Sequence, residues 1–229
     1  MAQKLICISS MATRHILAEI SASHAAASGR KIDVNSMGGV DAAKRVESGE
    51  AVDIVVLASG ALAKLARGGS VRADSIVDIA RSALAAAVKA GPAKPDLSSD
   101  DSAKRALLGA RAIAYSTGPS GDHIVALFKR WEIFAAIEAR LVKAPPGVPV
   151  GKLVADGAAE IGFQQLSELQ GLPGIDIVGP LSPALQSVTN FAAGVAAAAA
   201  DSQAAAGFIA ALRAPAVREV YIRHGMEPA

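Results

Sequence analysis

Aromatic side chains are scarce in this sequence: five Phe, two Tyr and one Trp in 229 residues, so its core must be aliphatic and alanine-rich. Cysteine is scarcer still. The one thiol, Cys7, excludes a disulfide within the chain and any cysteine-based zinc site. Set among apolar neighbours, it reads as a small buried hydrophobe. An excess of one charge is also missing: 23 Lys and Arg stand against 21 Asp and Glu, a net charge of +2. With no run of like charges, the chain lacks the electrostatic footprint of a nucleic-acid binder. Long apolar runs are absent too. The most apolar later stretch, Phe191 to Ala200, covers about half of the roughly 20 residues that a membrane span needs, and Asp201 and Gln203 then interrupt it. The apolar run Leu5-Ile6-Cys7-Ile8 ends at Ser9, too short for a secretory core of about 7–15 residues. The chain therefore reads as soluble and cytoplasmic, or periplasmic if a leader was removed.

Several chemistries are missing as well. The four histidines are scattered, with no partner at a zinc-chelating spacing. There is no Walker loop, nucleophile elbow or Gly-x-Gly-x-x-Gly turn. No metal and no cofactor are expected.

What is present is 52% hydrophobic residues, enough to exclude disorder, in a length that suits one large domain or two small ones. Short apolar runs alternate with helical patterns throughout, the signature of an α/β fold with a mainly parallel sheet. Strands are expected at Lys4–Ile8, Lys31–Asn35 and Val52–Leu57, then near Ile79–Val88, Arg111–Tyr115, Glu160–Phe163, Asp176–Val178 and Phe191–Ala199. Gly29 and Gly49 mark helix stops. Loops are expected over residues 90–96 and 144–149, both rich in Pro and Gly. One echo runs through the chain. Gly49-Glu50-Ala51-Val52-Asp53-Ile54 and Gly157-Ala158-Ala159-Glu160-Ile161 each pass from a Gly stop through an acidic residue into a strand. Two similar lobes would produce this, and so would the general frequency of helix–Gly–strand junctions.

Candidate chemistry collects where strands turn into helices. Tyr115-Ser116-Thr117-Gly118-Pro119-Ser120-Gly121-Asp122-His123 ends a strand and opens a helix, with Pro119 suited to the first helical position. Ile124, Leu127, Phe128 and Trp131 then form one apolar face. Such a turn offers backbone N–H groups, hydroxyls and a positive dipole end to an anion, and it also suits an ordinary capped helix start. Ser9-Ser10-Met11-Ala12 and Ser36-Met37-Gly38-Gly39 repeat the pattern. In an open parallel sheet these turns lie at the carboxyl ends of the strands, where ligands collect. No Lys or Arg sits within them, so an anion would be held by neutral donors. His123 and His15 are candidate proton carriers or carboxylate contacts, with a surface role as the plain alternative. Gln164, Gln165 and Gln186 are candidate amide contacts.

In order, Ile8-Ser9-Ser10-Met11-Ala12, Ser36-Met37-Gly38-Gly39, Gly49 to Ser59 and the closing Tyr221-Ile222-Arg223-His224-Gly225-Met226-Glu227-Pro228 resemble the molybdate-binding proteins of bacterial ABC transporters. The resemblance covers essentially the whole chain. It implies a two-lobe type II periplasmic-binding-protein fold, with mainly parallel sheets flanked by helices and a ligand cleft between the lobes. Lobe one would be residues 1–80 plus 188–229, and lobe two residues 81–187. It also implies oxyanion contacts at Ser10, Ser36, Ala58 with Ser59, and Ser120 with Gly121. An ABC permease would be a partner only if the chain is exported. The family's usual tyrosine gives way here to Phe163, Gln164 and Gln165, while Met11 and Met37 bring bulky apolar side chains. These departures favour an organic carboxylate over a molybdate-like oxyanion. The expected function is therefore the clamping of a small anion. The alternative is isomerisation of an unsaturated di- or tricarboxylate, because aconitate isomerase resembles a relative on this fold.

Overall fold

A computed structural model describes residues 4–91 and 94–229; Pro92 and Ala93 of the expected loop, and residues 1–3, lie outside it. In chain order the elements are β1 (Leu5–Ser10), α1 (Arg14–Ser28), β2 (Ile32–Met37), α2 (Gly39–Glu47), β3 (Ile54–Ala58), α3 (Ser59–Arg67), β4 (Val77–Lys89), α4 (Asp100–Gly109), β5 (Ile113–Tyr115) and α5 (Pro119–Arg130). They continue with α6 (Phe134–Ile137), β6 (Leu141–Lys143), α7 (Val150–Ala155), β7 (Ile161–Gln165), α8 (Leu166–Leu169), β8 (Ile175–Val178), β9 (Val188–Val195), α9 (Ser202–Ala211), α10 (Arg218–Arg223) and β10 (Glu227–Pro228). The chain divides into two compact units, one formed by the segment up to Ser82 together with Asn190–Ala229, the other by Ala83–Thr189. The chain passes from one to the other within β4 and again within β9.

The first unit is built on the order β2-β1-β3-β9, with β1 parallel to both β2 and β3 and β9 antiparallel to β3. Period-two alternation splits its strands cleanly between two cores. Leu5 and Cys7 of β1 with Ile54 and Val56 of β3 pack on Ile16, Leu17, Phe208, Leu212 and Tyr221 of the α1, α9 and α10 side. Ile8, Val55 and Leu57 point the other way, onto Ala42, Val46, Leu62 and Leu65 of α2 and α3. Cys7 is fully buried, and burial pushes its thiol up to about 12, so it behaves as the small hydrophobe expected.

The second unit has β4 flanked by antiparallel β7 and β8, with β5 parallel to β7 and to the edge strand β6. Ile161, Phe163 and Ile113 face α4, α5 and α6 through Leu107, Ile124, Leu127, Phe128 and Ile137. On the other face α7 lies so close that a Cβ on Gly162 would come within 2.6 Å of Val150 and Val154 side chains. Neither β6 nor β10 was anticipated. At three and two residues they are too short to carry a periodic signal, and pairing with β5 and β4 makes them strands.

The sequence echo has a physical counterpart. Asp53 donates its N–H to Ile6 O at 2.9 Å and takes the Ile6 N–H on Oδ2 at 2.9 Å. Glu160 donates its N–H to Ala112 O and takes the Arg111 N–H on Oε2, both at 2.9 Å. In each unit an acidic residue entering a strand pins the start of the neighbouring parallel strand. Asp53 does more: its Oδ1 accepts the Ala200 N–H at 2.9 Å, and the residue is only 6% exposed. Asp53→Ala would leave two part-buried N–H groups, those of Ile6 and Ala200, without their acceptors. We expect it to destabilise the protein by about 2–4 kcal/mol in urea unfolding, while Glu160→Ala, on a more exposed residue, should cost about 1 kcal/mol or less.

Candidate functional site

In the first unit the parallel strands β1, β2 and β3 all end at one edge, where register sets Ser9 beside Ser36 on one side and beside Val56 on the other. The two hydroxyls meet at 2.8 Å. Alternation turns Ser10 to the opposite face from Ser9, towards α2, where a Cβ on Gly39 would sit 3.8 Å from Ser10 Cβ. Ser10 Oγ is buried there without a hydrogen-bond partner. Serines 9 and 10 finish β1, and Ser10 is the N-cap of the short 3-10 turn Met11–Thr13 that leads into α1, but its side chain makes no capping bond; Thr13 Oγ1 donates back to Ser10 O at 3.1 Å. Ser36 and Met37 likewise finish β2, and α2 starts only at Gly39, with Gly38 as its N-cap. Pairing between β1 and β2, Ser9 with Ser36 and Ser10 with Met37, holds these residues extended one or two positions beyond the apolar runs. Ala58 is the N-cap of α3, and the Ser59 hydroxyl donates to Asp78 at 2.8 Å, so its backbone is better placed than its side chain to serve a ligand.

In the second unit β5 ends at Tyr115, and Ser116-Thr117-Gly118 turns the chain into α5 with Pro119 at its first position. Gly118 takes φ +89°, a left-handed conformation that costs a side chain strain. A Cβ on Gly121 would lie 1.7 Å from the Ser116 carbonyl oxygen, so only glycine lets the helix close over the turn. Ser116 and Ser120 hydroxyls meet at 2.9 Å, the same hydroxyl pairing as Ser9 with Ser36. Thr117 is exposed. Asp41 and Asp122 occupy the first turns of α2 and α5 and already complement those dipole ends. An anion at these turns therefore relies on hydroxyl and backbone N–H donors.

The glutamines separate. Gln164, on the α7 face, accepts the Val150 N–H at 2.8 Å and donates to Glu168 at 2.7 Å, which uses both ends of its amide within the unit. Gln165, on the α5 face, meets Thr189 Oγ1 at 2.7 Å and keeps the other end of its amide buried without a partner. Gln186 is tied to Leu181 O at 3.3 Å. The histidines separate too. His123 places Nε2 3.1 Å from Ala184 O, so Nε2 carries the proton and Nδ1 is the basic nitrogen of the neutral ring. His15 stacks on His224, with ring centroids 5.9 Å apart. Partial burial, then Arg14, then His224 hold its imidazole below the usual range. His224 also contacts Glu19 at 3.1 Å, and His24 packs edge-on against Phe208; both are half-buried. Among the described residues no cluster of three His, Cys, Asp or Glu is placed to hold a metal, and no helix is long and apolar enough to cross a membrane.

The family described as bacterial extracellular solute-binding protein matches residues 5–227. This chain belongs to that family. An aconitate isomerase from a Pseudomonas species is 34% identical over 230 residues, covering 98% of this chain and 87% of the relative. Among solved structures, the periplasmic molybdate-binding protein of Azotobacter vinelandii matches with a TM-score of 0.78 at 20% identity, covering 97% and 98% of the two chains. PEB3 of Campylobacter jejuni, with L-phospholactate bound, matches with a TM-score of 0.73 at 16% identity over 97% and 99%. The solute-binding fold expected from the ordered motifs is thus the fold of this chain.

Within this solute-binding protein, two residues near the candidate turns escaped the sequence reading. Thr189 has no local motif and meets Gln165 only through tertiary folding. Glu168 follows Gln165 at the third position of α8, where a carboxylate looks like an ordinary first-turn residue. Burial pushes its carboxyl up to about 7, and donation from Gln164 pulls the other way. In the unfolded chain Glu168 gives up its proton near the ordinary value of 4.5. Between that pH and about 7 the folded state holds more protons, so stability falls as pH rises, by at most about 1.4 kcal/mol per pH unit, and then levels off. Urea midpoints from pH 4.5 to 8 should show this fall, and Glu168→Gln should flatten it.

Proposed function

We propose that this protein binds a small organic carboxylate at the carboxyl ends of its parallel strands. The observation that carries the reading is Ser10 Oγ: a buried hydroxyl with no partner at the carboxyl end of β1, below the first turn of α2 and on the opposite face from the Ser9–Ser36 pair. Folding desolvates such a group at a cost, and an anion's oxygen repays it. Ser9, Ser10, Ser36 and Gly38 contribute from the first unit, with the backbone of Ala58 and Ser59. In the second unit the turn of Ser116, Thr117, Gly118, Ser120 and Gly121, together with Gln165, offers donors of the same kind. Met11 and Met37 supply apolar contact to the carbon skeleton of the acid. The PEB3 relative, with L-phospholactate, supports an organic anion, and the molybdate-binding relative supports the anion class in general.

A second reading is favoured by the relative named aconitate isomerase. Isomerisation of an unsaturated tricarboxylate removes a proton from the methylene carbon beside the double bond. The resulting allylic anion spreads its charge onto the neighbouring carboxylate, and a proton returns to the far carbon. In this reading His123 Nδ1 takes and returns the proton while hydroxyl donors stabilise the enolate-like carboxylate. His15, paired with His224, is the lesser candidate.

A thermal-shift panel of citrate, tricarballylate and cis- and trans-aconitate against molybdate, tungstate, sulfate and phosphate tests the binding reading. A ligand at 100 times its Kd should add about 2.7 kcal/mol, or roughly 5–10 °C in a chain of this size. A shift with the metal oxyanions alone would overturn the carboxylate assignment. Ser10→Ala should leave the unliganded melting temperature unchanged or raised, since it removes an unsatisfied group, yet weaken the bound acid about five-fold. For the second reading, proton NMR of trans-aconitate in deuterated buffer should show conversion with deuterium uptake, and His123→Ala should abolish it; no conversion by the unaltered protein would leave binding alone.

A further inference from the structure

Gln165 ends β7 on the α5 face of the second unit, beside the carboxyl end of β5, where Tyr115 pairs with Phe163. It is 4% exposed, and Thr189, the last residue of the same unit on β9, is 8% exposed. Their contact of 2.7 Å can run in either direction. An amide's nitrogen and oxygen exchange places by a half-turn of the last side-chain bond, while a hydroxyl donates or accepts equally well. Counting hydrogens separates the two arrangements. With the amide nitrogen towards Thr189, Gln165 Oε1 is buried without a donor, and among the described residues the threonine hydrogen meets no acceptor. With the amide oxygen towards Thr189, the hydroxyl donates to it and only the NH2 group still needs a partner. One unsatisfied group remains instead of two, and it is a donor, like the Ser116 and Ser120 hydroxyls and the α5 backbone N–H groups nearby.

We propose that Thr189 is the positioning residue that aims the Gln165 NH2 group at the ligand, and that this amide is a carboxylate contact of the second unit. The assignment rests on the anion reading above and adds to it the orientation of the amide and the residue that sets it. A neutral donor clamped in this way suits an anion and disfavours a ligand whose nearest group is itself a donor, so the Gln165–Thr189 pair sets selectivity for carboxylates.

Two measurements test it. In the unliganded protein, nuclear Overhauser contacts should link the Gln165 side-chain NH2 protons to the Ser116–Ser120 turn and not to the Thr189 methyl group; strong contacts to that methyl would overturn the orientation whatever the ligand. Titration with citrate and with molybdate, followed by calorimetry, then reads the consequence. Thr189→Ser should bind within about two-fold of the unaltered protein, Thr189→Val about ten-fold more weakly, and Gln165→Glu more weakly still, because it sets a like charge against the anion. Thr189→Val binding as tightly as Thr189→Ser would overturn the positioning role and leave the anion reading standing. Failure of the unaltered protein to bind either anion would overturn the anion reading, and the NMR contacts would still decide the orientation.

Discussion

Parallel strands need their starts held, because each begins with backbone groups that no hairpin satisfies. In this protein one carboxylate per unit does that work. Asp53 accepts and donates across to Ile6 at the foot of β1, and Glu160 does the same for Arg111 and Ala112 at the foot of β5. Once the foot of a strand is pinned, its register is set along its length. Register then decides which residues share the far edge: Ser9 with Val56 in one unit, Tyr115 with Phe163 in the other. Asp53 is the more consequential pin, since it also holds the chain at Ala200 after β9.

The two edges share a chemistry of neutral donors. Each presents a hydroxyl pair near 2.8–2.9 Å and a helix start, with no lysine or arginine in the turns. Aspartates in the first turns of α2 and α5 take part of the dipole's favour for negative charge. What is left for a ligand is directional hydrogen bonding rather than net charge, which reads geometry and protonation state more closely than a cluster of cations would. Glu168, with its carboxyl pushed up to about 7, lies one amide away from the α7 start through Gln164, so the second unit also carries a group whose charge changes near neutrality.

Close backbone approaches complete the arrangement. Gly121 lets α5 sit against the Ser116 carbonyl, and Gly162 lets α7 lie on the sheet. Neither role is visible from the glycine itself, since both positions have ordinary neighbours in the sequence. Both depend on which helix the fold brings down upon them.

The alternation of apolar runs with helical faces determined the α/β class and nearly every strand, because burial on both faces of a parallel strand demands an unbroken apolar run and a crossover helix demands a 3.6-residue period. The small hydroxyl residues after the strands marked the candidate turns for the same local reason: few other residue types suit both a strand end and a helix start. Boundaries slipped where pairing between β1 and β2 kept Ser9, Ser10, Ser36 and Met37 extended. Tertiary structure alone decided the fate of each side chain. Alternation along β7 sends Gln164 to α7 and Gln165 to Thr189, His15 finds His224 more than two hundred residues away in sequence, and Ser10 is left without a partner. These outcomes depend on partners distant in the chain, and a hydrogen bond, unlike a hydrophobic period, leaves no trace in the residues beside it.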